Sequence, residues 1–219
     1  MTDKRRSFNR FAMIGKMIEM ELRQFIEYID EASSGLQYKK KTIGLDYNEI
    51  EAEDPDNEFL DVLHDEFWKY DEVFTKYAFN SSLLSIYALL ENWLKKLCDY
   101  EYERGFSTIK VSDLAGRNYI EKSKNYFEKV AGIDLSDLNM KWQKIKEIQN
   151  IRNLIAHNNA NLIKDKEKPI DKQPIFQLIN RIDHIQLNDK TGDFFIKDKT
   201  FIIDFLQVIK KYLIEIIWS

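Results

Sequence analysis

The chain has 219 residues, 44% of them hydrophobic and 32% charged, with only 7 glycines and 3 prolines. This balance fits one domain, or one domain with an extension, built mainly of helices around a sizeable core. A net charge of −4 excludes a uniformly basic nucleic-acid coat, although a local basic patch can still bind RNA. The single cysteine, Cys98, excludes an intramolecular disulfide and a thiolate zinc cluster.

The first part of the chain predicts one amphipathic helix and then an irregular segment. Apolar residues recur at three- and four-residue steps over residues 9–32, and Ser33-Ser34-Gly35 is expected to end that helix. Residues 36–57 hold a lysine run, an acidic run and Pro55, which predict an irregular connection. A boundary is therefore expected between an N-terminal segment, residues 1–56, and a helical domain, residues 57–219.

The middle of the chain is almost continuously helical in its pattern. Residues 57–104 have apolar positions at helical spacing, and Asn80-Ser81-Ser82 is either a cap or a polar break within a helix. Shorter helices are expected near residue 112 and over residues 123–130. A longer helix, capped by Ser136 or Asp137, is expected to reach about Ala156 and to end among asparagines.

The C-terminal part predicts a loop, a hairpin and a last helix. Two prolines bracket a lysine-rich loop over residues 162–174, and weak alternation over residues 183–197 predicts a small β-hairpin. The last helix runs from Asp198 or Thr200 to about Trp218, and its charged positions are typical of an amphipathic helix, not of a membrane span. The basic, polar N-terminus shows no signal peptide, so we expect a cytoplasmic protein with no membrane association.

One short segment has the residue types of a catalytic site: Ile151-Arg152-Asn153-Leu154-Ile155-Ala156-His157-Asn158-Asn159. Arginine binds phosphate through its charge and planar donor fork, and histidine is the side chain best suited to move protons near neutral pH. RNA supplies its own 2′-hydroxyl nucleophile, so this pair suffices to cut it without a metal. Arg152 and His157 are therefore candidates for a catalytic pair that would need no cofactor and no metal.

The spacing of the pair sets a geometric problem. On an ideal helix Arg152 and His157 lie about 140° apart around the axis and ~7.5 Å apart along it, so one helix splays them. Either the helix loosens near Asn158 and returns His157 towards Arg152, or two copies of the helix meet at a shared cleft.

The motif resembles the Arg-x4-6-His motif of the HEPN superfamily (higher eukaryotes and prokaryotes nucleotide-binding domains). The upstream segment Leu89-Leu90-Glu91-Asn92-Trp93-Leu94-Lys95 also looks like a core helix of that family, and the resemblance covers residues 57–218. It implies an all-α helical bundle with a small β-hairpin before the C-terminal helix. It also implies a homodimer whose interface forms a composite site.

The activity implied by the resemblance is metal-independent RNA cleavage in a toxin–antitoxin or antiviral defence system, with an antitoxin or other regulatory partner. Asn153 would orient backbone or substrate, and Asn158 would do the same or only cap the helix. Some HEPN toxins paired with nucleotidyltransferases carry a modified tyrosine two positions past the histidine. This chain has Asn159 there, so that modification is not expected.

Each of these residues also has a structural interpretation. Arg152 and His157 would then be a surface arginine and a helix-ending histidine. Glu91 either faces the motif or pairs with Lys95, and the pair is favoured. Lysines flanking the motif helix would track the RNA backbone or form solvated surface: Lys141, Lys144, Lys146, Lys164, Lys166 and Lys168. The alternative function is a non-catalytic HEPN-like module that binds RNA, a nucleotide or a partner protein.

Overall fold

The fold is all-α with a small antiparallel hairpin before the C-terminal helix, as the sequence predicts. The computed structural model describes residues 2–105, 107–116 and 118–218, with side chains from Phe11 onward. Its α-helices are α1 (Thr2–Glu53), α2 (Phe59–Trp68), α3 (Phe74–Glu103), α4 (Tyr119–Lys129), α5 (Asn139–Asn158), α6 (Phe176–Asn180) and α7 (Lys199–Trp218). Its strands are β1 (Ile185–Leu187) and β2 (Phe194–Ile196), with Gln186 opposite Phe195.

The first helix is much longer than the sequence predicts. α1 continues for 52 residues, so the predicted stop at Ser33-Ser34-Gly35 is wrong. The irregular connection predicted over 36–57 is wrong for residues 36–53, which are helical, and holds only for residues 54–57. Serine and glycine each cost an interior helix position at most about 1 kcal/mol relative to alanine. Packing elsewhere along α1, where Ile18 and Ile29 are fully buried, outweighs that cost. The helix ends at Glu53 because Pro55 disfavours helical geometry at the residue before it.

The helical stretch after Asn57 is interrupted at a place that the pattern does not indicate. A π-helical turn, Lys69–Val73, joins α2 to α3, and Thr75 Oγ1 donates to the carbonyl of Tyr70, five residues earlier, over 2.8 Å. The polar run at residues 80–82 lies inside α3 without a break. Ser82 donates to the carbonyl of Ala78, and Asn80 Oδ1 accepts from the backbone amide of Ile196 in β2.

The chain forms two compact units. One comprises Met1–Gln24, Ser85–Arg152 and Asp204–Ser219, and the other comprises Phe25–Leu84 and Asn153–Ile203. This division differs from the expected boundary at residue 56. Each unit has its own buried apolar residues, such as Trp93 and Phe127 in the first and Phe79 and Ile196 in the second.

The last helix has the amphipathic character that its sequence predicts. Phe205, Ile209 and Tyr212 are buried, whereas Asp204 and Lys211 are exposed. Within the described part of the chain, no helix combines the length and apolar character needed to cross a bilayer.

Candidate active site

The motif lies on α5, which buries one face as the periodicity predicts. Ile145, Ile148, Ile151 and Leu154 are each at most 2% exposed. Met140, which the same pattern places in the core, is instead 85% exposed. It lies in the first turn of α5, just after the 3₁₀ turn Ser136–Leu138, where the core face of the helix has not yet begun.

The exit of α5 is a left-handed turn stabilised by asparagine. The helix is regular through Asn158, and Asn159 and Ala160 then adopt φ of 49° and 56°. The amide of Ala160 donates to the carbonyl of Leu154, which closes the helix end. Asn158 Nδ2 donates to the carbonyls of Asn161 and Ile163. Because the helix does not loosen at or before Asn158, His157 is not returned towards Arg152 by that route.

Arg152 is held against an aromatic ring. Its guanidinium carbon lies 5.5 Å from the ring centre of Tyr87 in α3, and Tyr87 is only 2% exposed. A guanidinium over an aromatic face at this distance is a cation–π contact, stabilising by roughly 0.5–2 kcal/mol. The side chain of Arg152 is half-buried, so one part of it is fixed while another reaches solvent.

Glu91 lies one helical turn beyond Tyr87 and is influenced by Arg152. Burial raises the pKa of Glu91, and the positive charge of Arg152 opposes that rise. Lys95, expected to pair with Glu91, places its ammonium 5.7 Å from the ring centre of Tyr119 instead. Burial likewise raises the pKa of Tyr87, with the charge of Glu91 acting in the same direction. The first unit therefore brings Arg152, Tyr87 and Glu91 together.

His157 and Asn153 are both exposed on the last two turns of α5, in the second unit. The other histidines lie elsewhere in the sequence and in different surroundings. His64 is exposed on α2, and His184 Nδ1 lies 2.8 Å from Asp198 Oδ2 at the start of α7. Asp198 also accepts from the amide of Thr200, which caps α7 and explains why this helix begins where the sequence predicts.

Most of the lysines proposed to track RNA are engaged in ion pairs. Lys141 pairs with Glu215 at 2.9 Å and Lys144 with Glu147 at 3.6 Å. Two further pairs are Lys146–Glu121 and Lys168–Asp165. Lys164 and Lys166 are exposed in the loop after α5. If lysines near the motif bind phosphate, we therefore expect Lys164 and Lys166 to contribute more than the lysines of α5.

The residue that the sequence did not single out is Tyr87. The helical spacing over residues 57–104 places Tyr87 on an apolar face, with leucines and isoleucines around it. A signal was present, because Tyr87 and Glu91 are four residues apart and share one helix face. Within the described residues, no group of three His, Cys, Asp or Glu side chains is placed to hold a metal ion.

Comparisons of the chain with protein-family models, with curated proteins and with solved structures found no match. The protein is all-α, and the hairpin of β1 and β2 followed by α7 forms the last part of the chain.

Proposed function

We propose that this protein is a metal-independent endoribonuclease of a toxin–antitoxin or antiviral defence system. The observation that carries the proposal is the composition of the end of α5. It has an arginine fixed on an aromatic ring, an exposed histidine five positions later, and asparagines at the exit. The resemblance to the HEPN motif gives this combination its chemical interpretation.

The reaction is an internal transesterification of RNA. His157 removes the proton from a ribose 2′-hydroxyl, whose oxygen attacks the adjacent phosphorus. The bond from phosphorus to the 5′-oxygen breaks, and that oxygen takes a proton from the general acid, a second histidine. Arg152 binds the phosphate oxygens and offsets the charge that grows in the transition state. The products are a 2′,3′-cyclic phosphate and a 5′-hydroxyl, so no water, metal or redox partner is consumed.

The separation of Arg152 and His157 around the axis of α5 favours a homodimer with a composite site. A regular helix through Asn158 keeps Arg152 and His157 about 140° apart around the axis. Two copies of α5 that meet along the motif would supply two histidines, one as base and one as acid. Because the ring of Tyr87 lies against the guanidinium of Arg152, that guanidinium is partly pre-positioned before RNA arrives.

The distribution of charge is compatible with an RNA substrate. Residues 42–74 hold 12 acidic residues and one basic residue, Lys69. The other 186 residues hold 32 basic residues against 25 acidic ones. The overall charge of −4 is thus produced by one segment, and the remainder of the chain is a net cation.

The second candidate is a module that binds RNA, a nucleotide or a partner protein without cutting. It is favoured by the ion pairs that engage Lys141 and Lys144, because these lysines are then less available to a phosphate backbone. The two candidates differ in a single measurable property, which is whether covalent bonds in RNA are broken.

The test is incubation of the purified protein with total RNA in EDTA, followed by analysis of the RNA ends. Cleavage by the wild type, with 2′,3′-cyclic phosphate ends, is expected, and Arg152→Ala and His157→Ala should abolish it. Gln143→Ala, at an exposed position of the same helix, is the matched control and should cleave normally. Binding of RNA without cleavage by a folded wild type would favour the second candidate, and cleavage by His157→Ala would exclude His157 as the base.

A further inference from the structure

An exposed tyrosine at the start of α4 lies between two lysines. Tyr119 is 42% exposed, and the ammonium groups of Lys95 in α3 and Lys122 in α4 lie 5.7 Å and 5.9 Å from its ring centre. Among the described residues, ion pairs engage other lysines nearby, such as Lys124 and Lys146, but neither of these two. An aromatic ring beside available cations is typical of surfaces that bind single-stranded nucleic acid, because bases stack on the ring and phosphates bind the cations.

Local packing restrains the side chains around this ring. Asn118 caps α4 by accepting from the amide of Glu121 at 3.0 Å, which fixes the turn that carries Tyr119. The stem of Lys122 lies against Gly116, where an added Cβ would come within 2.7 Å of Lys122 Cγ. The ammonium of Lys122 is therefore carried on a restrained stem, so less conformational entropy is lost when it binds a phosphate.

One side of α3 connects Tyr119 to Arg152. Tyr87, Glu91 and Lys95 follow one another at steps of four residues, so they lie along the same side of that helix. Tyr87 contacts the guanidinium of Arg152 at one end, and Lys95 contacts Tyr119 at the other, about 12 Å further along the helix axis. All of these residues belong to the first compact unit. A strand whose phosphate is bound by Arg152 therefore has the ring of Tyr119 within a few nucleotides.

The carboxylates described along this side of α3 are each close to a cation. Burial raises the pKa of Glu91 and the positive charge of Arg152 opposes that rise, while Glu121 pairs with Lys146. These carboxylates are thus partly neutralised inside the protein. Lys95 and Lys122 are the lysines that remain to attract a phosphate near Tyr119.

We propose that the protein binds unpaired RNA, with one base stacked on the ring of Tyr119 and the neighbouring phosphates bound by Lys95 and Lys122. The inference rests on the proposed function, because it takes RNA as the ligand, and it narrows the substrate to single-stranded segments. A base stacks on an aromatic ring more strongly than an exposed ammonium does, so the base takes the ring and the ammonium groups turn to phosphate. A duplex keeps its bases stacked on one another and offers Tyr119 none.

Binding of a labelled single-stranded RNA to His157→Ala protein tests the ring without cleavage during the experiment. Tyr119→Ala should weaken binding by about 5- to 150-fold, the loss expected when one base no longer stacks on a ring. Tyr119→Phe keeps the ring and should bind as its parent does. Tyr38→Ala, at a 68% exposed tyrosine of α1, is the matched control and should also bind normally.

Two further RNAs separate stacking from charge. A duplex of the same sequence offers no unpaired base, and an abasic strand keeps ribose and phosphate without any base. Tyr119→Ala should bind each of these as well as its parent does, which would also show that the variant is folded.

The lysines are tested by the salt dependence of binding to the single strand. Lys95→Gln and Lys122→Gln should each lower the dependence of log affinity on log salt by about 0.7, because each removes one phosphate contact. Lys39→Gln, at an exposed lysine of α1, is the control and should leave that dependence unchanged.

Four results would overturn the inference. They are a folded protein that does not bind single-stranded RNA, equal affinity in Tyr119→Ala and its parent, an equal loss for the abasic and the intact strand, and an unchanged salt dependence in both lysine variants. The ribonuclease is judged separately, by cleavage. Wild-type protein that cleaves RNA, with normal binding by Tyr119→Ala, would support the ribonuclease and exclude this stacking site. Protein that binds RNA through Tyr119 but cleaves none would support the stacking site and count against the ribonuclease.

Discussion

The guanidinium of Arg152 lies over the ring of Tyr87, 5.5 Å from its centre, and so joins α5 to the helix that carries Glu91. This contact restricts the side chain of Arg152, which a fully solvent-exposed arginine would not experience. An arginine free in solvent has many rotamers, and fixing it when phosphate binds costs entropy. A guanidinium that already rests on a ring has lost part of that freedom before RNA arrives.

Tyr87→Phe is expected to leave Arg152 in place. The phenylalanine ring keeps the aromatic face, and the lost hydroxyl is buried with no hydrogen-bond partner among the described residues. Removing a buried, unsatisfied hydroxyl should leave the free energy of unfolding unchanged or raise it by up to about 1 kcal/mol. Urea unfolding measures this change, and Tyr87→Leu, which removes the ring, is the comparison. A loss of more than 1 kcal/mol in Tyr87→Phe would show that the hydroxyl has a partner.

Glu91→Gln is expected to change how stability depends on pH. Burial raises the pKa of Glu91 in the folded protein above its ordinary value, even though Arg152 opposes the rise. Between the ordinary and the raised pKa the folded state binds more protons than the unfolded state, so rising pH lowers the free energy of unfolding across that window. In Glu91→Gln this decline should be absent. At pH values above that window the variant should therefore be more stable than the wild type.

The measurement is urea unfolding of the wild type and of Glu91→Gln at a series of pH values from acid to neutral. Glu51→Gln, at an exposed carboxylate of α1, is the control and should keep the wild-type pH profile. Identical profiles for the wild type and Glu91→Gln would mean that the carboxyl of Glu91 is not disfavoured by burial.

The sequence predicts those parts of the fold that local chemistry decides. The asparagines after His157 predict the end of α5, because asparagine tolerates the left-handed geometry that Asn159 adopts. The hairpin and the start of α7 are predicted for similar reasons, namely turn residues over 188–192 and the capping carboxylate of Asp198.

Features that depend on packing could not be predicted in the same way. The stop expected at Ser33-Ser34-Gly35 weighs local propensity alone. In the structure α1 buries Ile18, Leu22 and Ile29 before that point and continues beyond it with half-buried residues such as Ile43 and Tyr47. The role of Tyr87 depends on the pairing of α3 with α5, which no local pattern specifies. The favoured partner of Glu91, Lys95, was chosen by helix spacing, but the structure gives Lys95 the ring of Tyr119.

Asn158→Ala is expected to destabilise the exit of α5. The side-chain amide of Asn158 donates to two backbone carbonyls, those of Asn161 and Ile163. Losing it should cost about 1–2 kcal/mol in the free energy of unfolding. Asn158→Asp should be no better, because a carboxylate cannot donate to a carbonyl. Urea unfolding of both variants checks the prediction, with Asn150→Ala, at an exposed position within α5, as control.

The same variants separate the two roles that the sequence left open for Asn158. If this residue only closes the helix, RNA cleavage per folded molecule should be retained in Asn158→Ala under conditions where the variant is fully folded. A large fall in cleavage without a loss of stability would assign Asn158 to the substrate instead.

Lys164 and Lys166 are expected to contribute most of the phosphate contacts among the lysines that flank α5. Both are exposed after the helix exit, whereas Lys141 is already paired with Glu215. Each lysine that neutralises a phosphate of single-stranded RNA adds about 0.7 to the dependence of log affinity on log salt. The double variant Lys164→Ala/Lys166→Ala should therefore lower that slope by about 1.4. Lys141→Ala should barely alter it.

Binding of a labelled single-stranded RNA to His157→Ala protein, titrated at several salt concentrations, measures the slope without cleavage during the experiment. Removing two exposed lysines should weaken binding to all sequences alike, because phosphate contacts carry no sequence information. An unchanged slope in the double variant, together with a lowered slope in Lys141→Ala, would place the RNA path along α5 instead. The ion pair of Lys141 with Glu215 would then have to open when RNA binds, since the same ammonium cannot stay fully committed to both anions.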